Sequence, residues 1–397
     1  MQRWLCLLVM NGLLAFSVQA LDFARPFGGC MVLPRATPIP VWGRGMPGGE
    51  VKVTFAGQTK STRCDHDGCW RVVLDAEPAS AQGRDLSLTA ADGHLVLNDV
   101  LVGDVWLCSG QSNMDFPLAK AVGGPAECAA AAAFPHIRVL DLSGAPTTAR
   151  AYDTATLARL TPQDHFTGTW AVASPAATAG LSAIAWWTAK TLHLQQAIPI
   201  GVVENAVGGS GTEAWLPREV LAADPKYKEL LDDDWLDCPR LSPWARSRAR
   251  LNLGTHLHAM HPFRPGVLFE SGLRPWAGFP FAGVLWYQGE TNAELAADSW
   301  NEGLLEHLVR GWRAALNRPH LAFFMVQLPR IGGNDPLRAH WPEYRAVQAR
   351  VAKRLSDVHL IVTQDLGWDS PDVHPPDKLP VARRLAAAVL QAAPPAR

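Results

Sequence analysis

Beyond Val100, short apolar runs alternate with longer amphipathic stretches, and no other feature of the sequence restricts the fold as strongly. The apolar runs have the length and composition of buried strands, whereas the stretches between them repeat apolar residues with helical spacing. Strands that alternate with helices predict βαβ units, and therefore a parallel sheet covered by helices. The apolar runs cover residues 100–107, 136–140, 199–204, 282–287, 321–327 and 358–363, and the amphipathic stretches include 182–195, 300–316, 341–355 and 380–390.

The chain before this alternation shows a different pattern, with short strand-like runs and frequent turns. Between residues 21 and 98, strand-like runs at 51–55, 70–74 and 86–89 are separated by clusters of turn-forming residues. This spacing is typical of a β-sandwich or a small barrel, so we predict a small, sandwich-like β-rich N-terminal domain. We expect it to pack against the second domain, and a carbohydrate-binding role is the alternative.

The second predicted domain covers residues 99–397, and its alternation is interrupted between about 217 and 280. The interrupting segment carries an acidic run, Asp232 to Asp234, together with Trp235 and Trp244. We predict a helical or irregular insertion near the mouth of a functional site, with the acidic run on a solvated face.

The first twenty residues have the pattern of a secretory signal peptide. Arg3 precedes an apolar run, and small residues stand at the third and first positions before a cut after Ala20. The run is short for a membrane span, so a retained anchor is the weaker alternative. We therefore expect an exported protein, periplasmic or extracellular, with no membrane contact after cleavage.

Export would place the remaining cysteines in an oxidising compartment, where up to three disulfides can form. Sequence alone does not choose among the fifteen connectivities that six cysteines allow. We favour a Cys64–Cys69 bridge, because a short turn separates the two residues, while Cys108 either pairs with Cys128 or fills space in the core. A metal ion at Cys64, His66 and Cys69 is disfavoured, because no second pair of ligands lies nearby in the sequence. The mature chain would carry Cys30, Cys64, Cys69, Cys108, Cys128 and Cys238.

Composition argues against several classes of partner. Charged residues make up 18% of the 397 residues, and the formal net charge is −1. This balance gives no electrostatic reason to expect nucleic acid or an anionic membrane surface as a partner. The glycine-rich stretch 208–212 lacks the lysine of a phosphate-binding loop, so we expect no nucleotide cofactor.

Polar residues follow the apolar runs at the points where predicted strands end. The first run ends in Ser109-Gly110-Gln111-Ser112-Asn113, where a serine two positions after a glycine is a candidate nucleophile if a histidine can reach it. Open α/β sheets bind ligands at this end of their strands. The competing interpretation is that Ser109, Ser112 and Asn113 only cap the following helix, and the local pattern does not decide between the two.

Two further loops add polar groups to the same edge. The glycines of 208–212 leave backbone N–H groups uncovered, which suits an oxyanion. The run 282–287 ends in Gln288-Gly289-Glu290-Thr291-Asn292, and an amide and a carboxylate are costly to bury without partners. A polar site is therefore favoured there, with helix capping by Thr291 or Asn292 as the alternative.

His374 follows the last apolar run, next to Asp372 and two prolines. Most single histidines are structural, but this one stands at the end of another strand of the predicted sheet. With Ser112 early in the chain, it completes a set of serine, histidine and acid that we expect to converge at one sheet edge.

These segments resemble the SGNH hydrolases, and most closely the sialate O-acetylesterase group. The resemblance rests on Gly110-Gln111-Ser112-Asn113-Met114, Gly208-Gly209, Trp286 to Asn292 and Asp372 to Pro375, and it covers nearly all of the chain after residue 20. It implies a three-layer α/β/α, flavodoxin-like domain that removes O-acetyl groups from sugars. It also implies that the reaction needs neither metal nor cofactor.

The resemblance assigns roles residue by residue. Ser112 would be the nucleophile and His374 the general base, with an oxyanion hole formed by Ser112 N–H, Gly209 N–H and the Gln288 side chain. Substrate contacts are expected from Gln111, Asn113 and Trp215.

The chain departs from the family pattern at the acid. The pattern places an aspartate three residues before the histidine, where this chain has Pro371. Asp372 is our first choice to orient His374, and Glu290 is the second. A second departure at Glu270-Ser271-Gly272 puts substrate contacts of that segment in doubt.

The sequence therefore predicts a secreted serine esterase that acts on acetylated carbohydrate through an acetyl-serine. The rival hypothesis is a secreted carbohydrate-binding protein derived from an esterase, and the intact serine, histidine and glutamine set argues against it. Acetylated sialic acid and acetylated hemicellulose are both open as substrates. An ordinary α/β-hydrolase is less favoured, because Ser112 lacks the Gly-x-Ser-x-Gly elbow.

Overall fold

The computed structural model describes residues 20–296 and 299–392. The predicted signal peptide, residues 1–20, lies almost entirely outside the described residues and stays a prediction. Across the described part of the chain, no helix combines the length and the apolar character that a bilayer crossing requires.

Eight strands come first in the chain and build the β-rich region. They are β1 (Asp22–Phe23), β2 (Val32–Pro34), β3 (Ile39–Arg44), β4 (Glu50–Phe55), β5 (Gln58–Arg63), β6 (Cys69–Leu74), β7 (Ser80–Ala90) and β8 (Gly93–Gly110). Strands β1, β3 and β6 form a small antiparallel sheet. Strands β4, β5 and β7 pair antiparallel with one another and join the large sheet through β8.

The rest of the chain alternates helices and strands. Its strands are β9 (Ile137–Asp141), β10 (Ala171–Val172), β11 (Ile200–Glu204), β12 (Gly283–Tyr287), β13 (Phe323–Val326) and β14 (Val358–Ile361). Its helices are α1 (Gly124–Ala130), α2 (Thr154–Ala158), α3 (Pro175–Ala179), α4 (Ala183–Gln196), α5 (Arg218–Ala223), α6 (Pro243–Leu253), α7 (Val267–Gly272), α8 (Ser299–Ala315), α9 (Trp341–Arg354) and α10 (Leu379–Ala392). These bounds confirm the predicted strands and long helices, and the segment 217–280 is helical as expected.

The large sheet is mixed, and its central strands are parallel. The order is β10-β9-β11-β8-β12-β13-β14, with only the edge strand β10 antiparallel to its neighbour in this series. Strands β11, β12 and β13 are buried on both faces, which explains why they appear in the sequence as continuous apolar runs. The α/β class is therefore confirmed.

Strand β8 belongs to both regions of the chain. Its first half, from Gly93, pairs antiparallel with β7, and Leu101 to Gly103 pair in parallel with β2. Its second half pairs in parallel with β11 on one side and β12 on the other. The predicted boundary at 98/99 thus falls inside one continuous strand of 18 residues.

The predicted Cys64–Cys69 disulfide is wrong, because all six cysteines of the described residues are free thiols. The turn between the two is closed by Asp65 instead, whose Oδ1 accepts hydrogen bonds from the backbone N–H of Asp67 (2.9 Å) and Cys69 (2.8 Å). The Cys108–Cys128 pairing is absent as well. Cys108 is fully buried in β8, where it fills space in the core.

Candidate active site

The site lies where the parallel strands of the large sheet end. After β8 the chain adds β9, β10 and β11 on one side of that strand within the sheet. It then returns and adds β12, β13 and β14 on the other side. Loops after β8, β11 and β12 therefore meet at the point where the winding direction changes, which is the usual ligand position in open α/β sheets. The segment after β14 brings a fourth loop, residues 370–375, to the same edge.

Close packing of two of these loops requires a glycine at Gly110. Its φ is +139°, and a Cβ at this position would lie 2.0 Å from the carbonyl oxygen of Tyr287. Only glycine lets the end of β8 approach the end of β12 so closely. Ser112, two residues later, is thereby held beside the loop after β12.

Ser112, His374 and Asp372 form a continuous chain of hydrogen bonds. The Nε2 atom of His374 lies 2.8 Å from Ser112 Oγ, and its Nδ1 lies 2.7 Å from Asp372 Oδ1. The same carboxylate oxygen accepts the backbone N–H of His374 at 3.0 Å. One ring nitrogen therefore faces a hydroxyl and the other faces a carboxylate, an arrangement that can activate a serine as a nucleophile.

The two candidate acids lie in different places. Asp372 contacts His374 and is 57% exposed, and its backbone carbonyl accepts from Trp368 Nε1 at 2.7 Å. Glu290 is 2% exposed and contacts Asn113 rather than the imidazole. Burial raises the pKa of Glu290, while the hydrogen bond from Asn113 and the charges of His374 and Lys378 act against that rise. The geometry therefore favours Asp372 as the residue that orients His374.

Two backbone amides are available for an oxyanion. Within the described residues, the N–H groups of Ser112 and Gly209 have no hydrogen-bond acceptor, although both residues line the same pocket. Gly209 has φ +78°, and a Cβ there would lie 2.5 Å from the ring of Trp244. The glycine thus keeps both the backbone conformation and the space that the loop needs.

Gln288 does not occupy the position predicted for it. Its side chain is fully buried, outside the pocket, and its Nε2 faces acceptors on Asn292 (2.6 Å), Gln111 (3.1 Å) and Ser210 (3.3 Å). Its Oε1 accepts from Thr212 Oγ1 at 2.7 Å. Because these partners already use the amide, Gln288 joins the loops to one another and donates nothing to the pocket.

The three residues predicted to contact substrate differ in whether they line the pocket. Gln111 lines the pocket, and its Oε1 also accepts from the backbone N–H groups of Gly289 and Thr291, both at 3.3 Å. Asn113 and Trp215 are fully buried and do not line the pocket. Trp215 packs edge-on against Trp286, with ring centroids 6.0 Å apart, so its size serves the core rather than a substrate.

The pocket itself has a volume of about 400 Å³ and includes residues that the sequence did not single out as site residues. Trp244 from α6 covers one wall, and Arg338 lies 3.4 Å from Glu294 on another. Thr147 donates to the carbonyl of Gly208 at 3.1 Å. These residues come from the helical insertion and from connecting segments, and only the predicted place of the insertion near the mouth of the site pointed to any of them.

Lys378 is a buried ionisable side chain next to Asn113. It is 2% exposed, its Nζ donates to Asn113 Oδ1, and the same atom lies 4.6 Å from the centroid of the Phe116 ring. Burial lowers its pKa from 10.5 to about 7, although the nearby carboxylates of Glu290 and Asp372 oppose that shift.

The lowered pKa of Lys378 predicts how stability depends on pH. Between the two pKa values, the folded state binds fewer protons than the unfolded state, so the free energy of unfolding rises with pH. The cost of burying Lys378 is therefore smallest at high pH, and it reaches its full size as the pH falls through about 7. Relative to Lys378→Met, the wild-type protein should gain about 2 kcal/mol in the free energy of unfolding between about pH 7 and pH 9. Urea unfolding of both proteins at the two pH values measures this gain, and an identical pH dependence would contradict it.

Comparison with known proteins points to one family. A family profile described as "Carbohydrate esterase, sialic acid-specific acetylesterase" matches residues 273–391. Sialate O-acetylesterase from Mus musculus is 28% identical, with 87% of this chain and 68% of the relative covered, and that from Homo sapiens is 27% identical, with 87% and 65% covered. The chain thus spans about two-thirds of the length of these relatives.

A solved structure extends the similarity to the fold. The crystal structure of a carbohydrate acetylesterase from Xanthomonas citri superposes with a TM-score of 0.71 at 30% sequence identity. The match covers 92% of this chain and 74% of the other. The similarity therefore extends over most of both the β-rich region and the α/β region.

Proposed function

The chain belongs to the sialate O-acetylesterase-like carbohydrate esterases, and on this premise we propose that it removes O-acetyl groups from sugars through an acetyl-serine on Ser112. The observation that carries the proposal is the hydrogen-bonded series of Ser112, His374 and Asp372 at the edge of an open pocket. We also propose that the sheet and its helices adopt the three-layer arrangement of the SGNH hydrolases, preceded by a β-sandwich.

The first half of the reaction forms the acyl-enzyme. His374 Nε2 takes the proton of Ser112 Oγ as the oxygen attacks the acetyl carbonyl carbon, and the carbonyl electron pair moves onto oxygen. The N–H groups of Ser112 and Gly209 donate to that oxyanion, and each such donor typically contributes about 3 kcal/mol to the transition state. As the tetrahedral intermediate collapses, the sugar oxygen leaves with the proton held by His374.

The second half returns the enzyme to its starting state. Water gives a proton to His374 Nε2 and attacks the acetyl-serine carbonyl, and the same two N–H groups stabilise the second oxyanion. Ser112 Oγ then leaves and regains its proton, and acetate is released. Asp372 accepts from His374 Nδ1 and stabilises the imidazolium that exists in both halves.

The pocket supports a sugar as the alcohol part of the ester. Trp244 offers an aromatic surface on one wall, while Arg338 and Glu294 offer charged hydrogen-bonding groups on another. A ring with one apolar face and several hydroxyls fits such a mixture of an aromatic surface and a few placed polar groups.

Acetate release from defined sugar esters tests the proposal. We expect release from at least one of O-acetylated sialic acid, acetylated xylan and acetylated xyloglucan, and none in matched reactions with Ser112→Ala protein. Hydrolysis confined to p-nitrophenyl acetate would contradict a carbohydrate substrate. Sugar binding without any acetate release would favour the non-catalytic alternative.

A further inference from the structure

Asn113 joins the serine loop to the histidine loop. It follows Ser112 directly, is fully buried, and uses its side-chain nitrogen for two hydrogen bonds. Nδ2 donates to Glu290 Oε1 at 2.5 Å and to the backbone carbonyl of Val373 at 2.8 Å, and Val373 precedes His374. The neighbours of the nucleophile and of the base are therefore connected through a single amide.

The orientation of this amide is set by two buried ionisable side chains. The two ends of an asparagine amide have nearly the same shape, so hydrogen-bond partners decide which way it points. The ammonium of Lys378 can only donate and therefore selects Oδ1, whereas the carboxylate of Glu290 can only accept and selects Nδ2. In this orientation, the second hydrogen of Nδ2 reaches the carbonyl of Val373.

We propose that Asn113 is a positioning residue that holds the His374 loop against the serine loop, and that Lys378 and Glu290 fix its orientation. The inference rests on the proposed reaction at Ser112. Asn113 lies outside the pocket lining, so it acts through the 2.8 Å contact between His374 Nε2 and Ser112 Oγ. It also gives Glu290 a role other than orienting His374.

Burial makes the two charges depend on each other. Without Lys378, the carboxylate of Glu290 would stay buried with no cation near Asn113, and such a group takes up a proton. A protonated Glu290 can donate as well as accept, so neither neighbour would then define the amide orientation. Lys378 Nζ lies over the Phe116 ring, whose centroid is 6.5 Å from that of the His374 ring, so Phe116 is a neighbour of both side chains.

Kinetics of three variants test the proposal. Asn113→Ala and Lys378→Met should lower kcat by about 10- to 100-fold, because a displacement of about 1 Å at reacting groups has effects of that size, and KM should change less than about threefold. Lys190→Met is the matched control: Lys190 Nζ lies 2.7 Å from Glu127 and 4.8 Å from the Phe134 ring centroid, on α4 and outside the pocket lining. Its kcat should stay within about twofold of wild type. A raised KM with unchanged kcat would identify Asn113 as a substrate contact and overturn the proposal.

A second measurement keeps the test valid if Asn113→Ala does not fold. Asn113→Asp preserves the shape but has at most one hydrogen in place of the two on Nδ2, so it cannot donate to both Val373 and Glu290, and its kcat should fall about as far as that of Asn113→Ala. Labelling of Ser112 by a fluorophosphonate probe, followed by mass spectrometry, should slow in the same variants. Labelling at the wild-type rate in folded Asn113→Asp and Lys378→Met overturns the positioning role alone. Failure of the wild-type protein to be labelled at Ser112 overturns the proposed reaction instead.

Discussion

Replacing Ser112 with alanine is expected to lower kcat for acetyl ester hydrolysis by about 10³- to 10⁶-fold, because the acyl-enzyme can no longer form. The residual rate would come from the backbone donors and the pocket, which still bind the ester and its oxyanion. The fold should be unchanged, since the only side-chain hydrogen bond of Ser112 among the described residues is the one to His374. Hydrolysis of p-nitrophenyl acetate and a circular dichroism melt measure the two expectations.

Ser109 provides the matched control for this substitution. It lies three residues before Ser112 in the same strand-to-loop segment and is fully buried, and its Oγ has no hydrogen-bond partner among the described residues. Ser109→Ala therefore removes a hydroxyl of the same kind without touching the reacting atoms, and kcat should stay within about threefold of wild type. Near wild-type turnover in Ser112→Ala would mean that another residue is the nucleophile.

The two carboxylates near the site should respond unequally to removal of their charge. Asp372→Asn is expected to lower kcat by about 10²- to 10³-fold, because an amide at this position no longer stabilises the imidazolium and can favour the wrong tautomer of His374. The loss should be smaller than for a buried aspartate, since water can reach the 57% exposed side chain of Asp372. Glu290→Gln preserves an acceptor for Asn113, and its kcat should fall by only about tenfold.

Turnover of p-nitrophenyl acetate, measured for both variants under one set of conditions, compares the two losses. A larger loss in Glu290→Gln than in Asp372→Asn would transfer the orienting role to Glu290, and equal small losses would mean that neither carboxylate orients His374.

The sequence was sufficient to predict the parallel sheet and the contact between Ser112 and His374. Strands buried on both faces leave continuous apolar runs, so β11 and β12 could be placed to within one residue at their starts. Ser112 and His374 follow from the same logic, because polar residues after parallel strands meet at one edge. The predicted contact of Asp372 with His374 also agrees with the structure, since a residue two positions away can bond both the ring and the backbone N–H.

The direction of individual side chains could not be predicted in the same way. Whether Gln288 points into the pocket depends on acceptors supplied by Gln111 and Asn292, which different loops bring together only in the folded state. The sequence around Trp215 does not show whether its side chain faces a sugar or packs against two other tryptophans. The pocket walls formed by Trp244 and Arg338 depend on how the insertion and the connections fold back over the sheet, for which no local pattern gives a signal.

The continuity of β8 limits how this protein can open and close. A flexible linker would let the β-rich region swing relative to the parallel sheet, but here one extended backbone is hydrogen-bonded to β7 and β2 before it enters the centre of that sheet. Hinge bending at this junction would have to break ladder hydrogen bonds on both sides of the strand. A change in access to Ser112 would therefore have to come from the segments that surround the pocket, because β8 makes the β-rich region continuous with the strand that leads to Ser112.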